Sequence, residues 1–221
     1  MEILLVRHGE SKGNTGEVDP QQDGDHTLNL TELGKRQAND LGANIDKSFL
    51  NDAIIYNSPY ERTRETLKGI LKGAGVFDER EDLLIYEDPR LREVEHGFHG
   101  TSEDVDQQYV LQDTHGKFYY RFKGGESPAD CYDRVASFLE SLQRQVERKG
   151  KKKILIVSHG LTIRCFVMRF LHLSVEQFES IKNPSNCSLV RIAKLEDIEE
   201  EKRVFQTKKW AVEGLQLRMN R

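Results

Sequence analysis

Two apolar runs, Ile3-Leu4-Leu5-Val6 and Ile154-Leu155-Ile156-Val157, stand far apart in the chain, and each leads into a histidine followed by glycine: Arg7-His8-Gly9 and Ser158-His159-Gly160. A short run with no polar member suits a strand covered on both faces, as in a sheet packed between helices. Similar runs occur at Ala53 to Tyr56 and Leu83 to Tyr86. Helical patterns separate them. The clearest begins at Ser127, where Pro128 fits the first helical position and Asp130 completes a cap, with Val135, Phe138, Leu139, Leu142 and Val146 on one stripe. Further helices are expected over about Thr31 to Ile45, Pro59 to Lys72 and Leu161 to Leu171. This alternation predicts a three-layer α/β/α sandwich with a mostly parallel central sheet. The tail segments Ser188 to Leu195 and Arg203 to Trp210 read as two more polar strands, a hairpin at one edge.

The 221 residues suffice for one large core, and a single domain over 1–221 is expected. A net charge of −4 argues against affinity gained by neutralising a nucleic-acid backbone, so an anionic ligand needs a local cationic pocket. No leader-like segment or membrane-length apolar run is visible, and Cys131, Cys165 and Cys187 suit neither a disulfide framework nor a CxxC metal site. A cytoplasmic setting is the expectation. The basic stretch Lys149 to Lys153 and the acidic run Glu199 to Glu201 read as solvated turns.

In α/β sheets, ligands gather beyond the carboxyl ends of the strands, which is where both histidines fall. The glycine after each allows a sharp turn or a close approach to a ligand, and a following helix presents free N–H groups to an anion. One strand-end histidine is often structural; two in the same context point to function. Metal ligation fits poorly, because Arg7 beside His8 repels a cation. No metal and no cofactor are implied.

Arg7-His8-Gly9-Glu10-Ser11 with Asn14 resembles the first motif of the histidine phosphatase, or phosphoglycerate mutase-like, superfamily. Further resemblances follow in family order. They are Leu30-Thr31-Glu32-Leu33-Gly34 with Gln37-Ala38, Ser58-Pro59-Tyr60-Glu61-Arg62-Thr63 with Thr66, Leu91-Arg92-Glu93 with Gly97, Gly125-Glu126-Ser127, and Val157-Ser158-His159-Gly160. The resemblance implies that His8 is the nucleophile that becomes phosphorylated, its second ring nitrogen bonded to a backbone carbonyl. It implies that Arg7, Arg62, Asn14 and His159 hold the phosphate, with Ser11 and Gly160 beside it, and that Glu93 is the acid that protonates the leaving oxygen. The chemistry suits those residue types: guanidinium forks match phosphate oxygens, a neutral imidazole attacks phosphorus, and a carboxyl shuttles the proton. Glu95 rivals Glu93, the spacing to Gly97 being the ground for choosing between them; Arg64 reads as a surface residue.

The stretch from Phe98 to Lys123 is polar and aromatic. It reads either as a lid whose Arg121 or Lys123 contacts a second anionic group, or as a segment whose aromatics pack onto the sheet. It is shorter than the insertion of the mutases in the resembled superfamily. The expected function is therefore hydrolysis of a small-molecule phosphate ester, with no nucleic acid or membrane partner and with a homodimer allowed. The rivals are a cofactor-dependent phosphoglycerate mutase and a phosphate-binding protein whose catalysis has lapsed.

Overall fold

A computed structural model describes residues 1–18, 24–76, 83, 85–97 and 101–218. Seven strands form one sheet: β1 (Glu2–Arg7), β2 (Ala53–Asn57), β3 (Ile85–Glu87), β4 (Lys153–Ser158), β5 (Leu189–Lys194), β6 (Phe205–Gln206) and β7 (Trp210–Glu213), in the order β3-β2-β4-β1-β5-β7-β6. The first four of that order are mutually parallel, while β5, β7 and β6 add antiparallel pairings. This is the α/β architecture expected, with a parallel half and an antiparallel extension.

Successive residues of the central strands feed two different cores. Ile3 and Leu5 of β1, Ile54 and Tyr56 of β2, and Ile154 and Ile156 of β4 lie in one apolar cluster; Leu4 and Val6, Ala53 and Ile55, and Leu155 and Val157 lie in another. Period-two alternation across a sheet buried on both faces accounts for the absence of polar residues in these runs. The first cluster is closed by α6 (Pro128–Lys149) and α7 (Gly160–Leu171), through Val135, Phe138, Leu142, Phe166 and Val167. The second is closed by α3 (Lys47–Asp52) and α4 (Glu61–Gly73), through Phe49, Leu50, Leu67, Ile70 and Leu71. Thr31 caps α2 (Glu32–Asn44) by accepting from the Gly34 N–H, and Ser127 with Asp130 forms a reciprocal capping box on α6.

The remaining helices are α1 (Lys12–Thr15), α5 (Ser102–His115) and α8 (Val175–Ser180). Two strand expectations need correction. The segment from Ser188 pairs along β1 inside the sheet, and the edge hairpin is β6-β7, because a turn at residues 207–209 divides the run taken as one strand. The run at Leu83 to Tyr86 was expected to be covered on both faces; β3 instead forms the outer edge, with Ile85 43% exposed, and Leu84 lies outside the described residues. The basic run Lys149 to Lys153 turns on Gly150, which takes a left-handed conformation at the end of α6.

Helices α2 and α4 pass unusually close. A Cβ on Gly42 would lie 2.1 Å from the Ile70 carbonyl oxygen, and one on Gly73 would lie 2.0 Å from that of Asn39. The crossing matters for the site because α4 carries Arg62 and Thr66 on its first turns. Gly42→Ala is expected to lower stability by about 1–3 kcal/mol, since forced separation of two backbones outweighs the roughly 1 kcal/mol that alanine gains in helix propensity. A denaturant midpoint equal to or above wild type would contradict this.

Candidate active site

The register of the sheet brings the two histidines together. Arg7 of β1 pairs with Ser158 of β4, so the next residues, His8 and His159, leave the sheet side by side; the His8 N–H donates to the Ser158 carbonyl at 3.0 Å. Their ring centroids are 5.2 Å apart. His8 is 3% exposed and its Nδ1 lies 2.7 Å from the Gly9 carbonyl oxygen. A carbonyl only accepts, so Nδ1 carries the proton and Nε2 holds the lone pair. Behind the ring, the Gly9 N–H donates to Thr66 Oγ1 at 3.0 Å, and a Cβ on Gly9 would lie 2.6 Å from the Gly34 carbonyl oxygen. Only glycine permits that approach between loop and α2.

His159 is the N-cap of α7 and fully buried. Its Nε2 lies 2.8 Å from Ser58 Oγ, which also accepts the Tyr60 N–H at 3.4 Å. Among the described residues Nε2 is the acceptor within reach of the serine proton, so the hydroxyl donates to it and the remaining imidazole proton falls on Nδ1. That Nδ1 is buried with no partner among the described residues, which leaves it free to donate to an oxygen. Both rings are neutral. Burial and then the Arg62 charge push His8 down to about 3, against the opposing Gly9 hydrogen bond, and burial with Arg62 and His8 holds His159 well below the usual imidazole range.

Two guanidinium groups flank the pair. Arg7 donates Nη1 to the Pro184 carbonyl at 2.7 Å, and its buried Nε has no partner among the described residues. Arg62, 4% exposed, is forked onto the carboxylate of Asp25, with both Nη1 and Nη2 at 3.0 Å, and stacks over Tyr60 at 4.8 Å. Ser11 caps α1, and the Asn14 side-chain oxygen accepts from the Ser11 N–H and from Asn186, which leaves the Asn14 amide nitrogen as its donor. Opposite stands Glu93. Its Oε1 accepts the Val94 N–H at 3.0 Å and lies 3.3 Å from Thr162 Oγ1.

These groups line a cavity of about 780 Å³ whose walls include Arg7, His8, Ser11, Asn14, Asp25, Arg62, Glu93, Glu95 and Asn183. Of the residues singled out from sequence, Arg7, His8, Ser11, Asn14, Arg62 and Glu93 meet here, with His159 beneath them. Gly160 does not line the cavity; it packs under Asn183, whose side chain a Cβ there would approach to 3.2 Å. Arg121 and Lys123 are not brought to this cavity. Both line a separate one of about 400 Å³, where the Arg121 guanidinium is committed to Asp130. Phe118 and Phe122 are buried, and Phe118 packs into the main core against Phe178, so these two serve packing, whereas Tyr109 and Tyr119 are exposed; Phe98 and His99 lie outside the described residues. Arg64 pairs with Glu61 and Glu87 at the surface. Asp25, Thr162, Asn183 and Asn186 are parts of the site that sequence reading did not single out. Ser58 was visible only as part of a motif.

The sequence profile of the Histidine phosphatase superfamily (branch 1) matches residues 3–210. Phosphoglycerate mutase-like protein AT74 of Arabidopsis thaliana is 38% identical over 207 residues, covering 87% of this chain, which spans 64% of that protein's length. Broad-range acid phosphatase DET1 of Saccharomyces cerevisiae is 27% identical, with 85% of this chain and 84% of that one covered. The structure of Bacillus stearothermophilus YhfR superposes with a TM-score of 0.68 at 27% identity, over 87% of this chain and 91% of that one.

A buried neutral His8 carries a stability signature. With its folded pKa at about 3 against an ordinary 6.5, the unfolded chain takes up the proton first. The associated stability is fully present above pH 6.5 and is lost as pH falls toward 3. Between pH 7 and 5 the His8 share amounts to about 2 kcal/mol, so denaturant midpoints of His8→Asn should fall less over that interval than those of wild type. Parallel pH dependences in the two proteins would refute a buried neutral His8.

Proposed function

From the premise that this chain belongs to the histidine phosphatase superfamily, branch 1, we propose that it hydrolyses small-molecule phosphomonoesters through a phosphohistidine on His8. The observation that supports this best is the fixed tautomer of His8, whose Nδ1–H is tied to the Gly9 carbonyl and whose Nε2 lone pair is available between two guanidinium groups. In the first step Nε2 attacks phosphorus and the bond to the leaving oxygen breaks. Glu93, as the carboxylic acid, passes its proton to that oxygen, so the product leaves as an alcohol. Arg7, Arg62, the Asn14 amide and the His159 Nδ1–H take the charge on the three equatorial oxygens. The Gly9 carbonyl faces the positive ring that forms. In the second step a water gives a proton to Glu93 while its oxygen bonds to phosphorus; the N–P pair returns to Nε2 and inorganic phosphate is released.

Placement favours Glu93 over Glu95 as the acid. Glu93 is half-buried and anchored by a backbone N–H, whereas Glu95 is exposed on the rim. Hydrolysis is favoured over mutase chemistry by charge. Among the described lining residues there is no lysine, and Arg7 and Arg62 are the guanidinium groups present. Both are needed for the phosphate in transfer, which leaves none for the second anionic group of a bisphosphate primer.

With para-nitrophenyl phosphate and sugar phosphates in the presence of chelator, turnover is expected, and acid-labile, base-stable phosphate should be trapped on the wild-type protein. His8→Ala should lose the label and roughly a thousandfold or more of kcat/KM. Because the free imidazole stays neutral down to about 3, kcat/KM should show no inflection near pH 6.5 that disappears with His8. Activity retained by His8→Ala would overturn the mechanism. Interconversion of phosphoglycerates stimulated by a bisphosphate primer would overturn the choice of hydrolase.

A further inference from the structure

The charged side chains that line the cavity are two guanidinium groups, Arg7 and Arg62, and three carboxylates, Asp25, Glu93 and Glu95. Arg62 is buried, and the Arg7 Nε and the His159 Nδ1 beneath the cavity are buried with no partner among the described residues, which suits an oxyanion. Asp25, on the turn before Leu28, is partly exposed and Glu95 is exposed. Tyr60 lies near both, its phenol pushed up to about 12 by burial and then by Asp25 and Glu95, against the charges of Arg62 and of Arg92, which is itself paired with Glu126. The Asp25 carboxylate is balanced by the Arg62 fork. A phosphate dianion that takes the two guanidinium groups as its counter-charge releases Asp25 from that pair. Asp25 and Glu95 then face the leaving group with no described lysine or arginine of the cavity to balance them. His26 and His96 are the other rim groups able to carry positive charge.

We propose that this pocket selects phosphomonoesters of amino alcohols, whose protonated amine replaces Arg62 as the partner of Asp25 and meets Glu95, and that it turns away esters carrying a carboxylate or a second phosphate. The inference rests on the phosphohydrolase reading above and adds the substrate class. A compact ammonium suits the position because it donates to two carboxylates from one point. A carboxylate there meets like charge in a half-enclosed cavity, where repulsion is screened less than in open water.

A size-matched trio tests it: 2-aminoethyl phosphate, 2-hydroxyethyl phosphate and phosphoglycolate, assayed at pH 8, where imidazole in water is uncharged. Wild-type kcat/KM is expected to fall in that order, with the amine at least tenfold above the carboxylate, equivalent to about 1.4 kcal/mol. Asp25→Asn and Glu95→Gln should each compress the ratio, and the double variant should bring it near that of the uncatalysed reactions, since intrinsic leaving-group differences survive both substitutions. An equal or inverted wild-type ranking, or a ratio unmoved in the double variant, overturns the substrate class alone. Turnover of para-nitrophenyl phosphate without turnover of the amine does the same. Failure of every ester, with no label on His8, removes the hydrolase reading and this inference with it.

Discussion

The parallel pairing of β1 with β4 in one particular register is the constraint on which the site depends. With Arg7 opposite Ser158, His8 and His159 emerge level and the His8 N–H bonds to the Ser158 carbonyl. A slip of one residue would exchange the faces of the whole strand, sending Leu4 and Val6 into the core built for Ile3 and Leu5 and carrying Arg7 out of the cavity. The two cores are filled by different helices, so each fixes the register independently. Strand β2 joins the same alignment: Asn57 pairs with Val157, which sets Ser58 beside His159. The chemistry at the sheet edge is thus a consequence of packing several residues deeper.

Burial then decides the electrostatics. An imidazole in water near neutral pH is partly protonated, and a protonated ring has no lone pair for phosphorus. Here the low exposure of His8 and the Arg62 guanidinium both disfavour the cation, so the proposed nucleophile stays neutral beside two guanidinium groups. Arg7 and Arg62 lie close enough to repel each other, and the Asp25 carboxylate compensates Arg62.

Much of this was legible in sequence because the relevant signals are local. Apolar runs marked the central strands, and Ser127, Pro128 and Asp130 marked a helix start that the structure reproduces residue for residue. Helix α5 was not recognised because it has no apolar stripe: Tyr109, Val110 and Leu111 are all exposed, leaving nothing periodic to read. The same polar and aromatic composition allowed a substrate lid with Arg121 and Lys123, yet burial of Phe118 turns the segment into a wall of the core and Arg121 onto Asp130. Asp25 carried no local mark, since one acid in a polar loop gains meaning only from the guanidinium that folds against it. The tail was misread for a related reason: partner choice among antiparallel strands is a tertiary decision, and β5 found β1.

The choice between Glu93 and Glu95 could not be made from residue type, and the proposal of Glu93 draws support from its contacts with α7. Thr162 has one hydroxyl proton and sits 2.7 Å from the Arg92 carbonyl, which can only accept, so that proton is committed there. The same hydroxyl lies 3.3 Å from Glu93 Oε1, and the Val94 N–H donates to that oxygen at 3.0 Å. Together these contacts anchor the Glu93 carboxyl by one of its oxygens. His159 caps the helix that bears Thr162. A single rigid element therefore fixes both the orphan imidazole donor and the orientation of the proposed acid, and any shift of α7 along its axis would disturb charge stabilisation and proton delivery together.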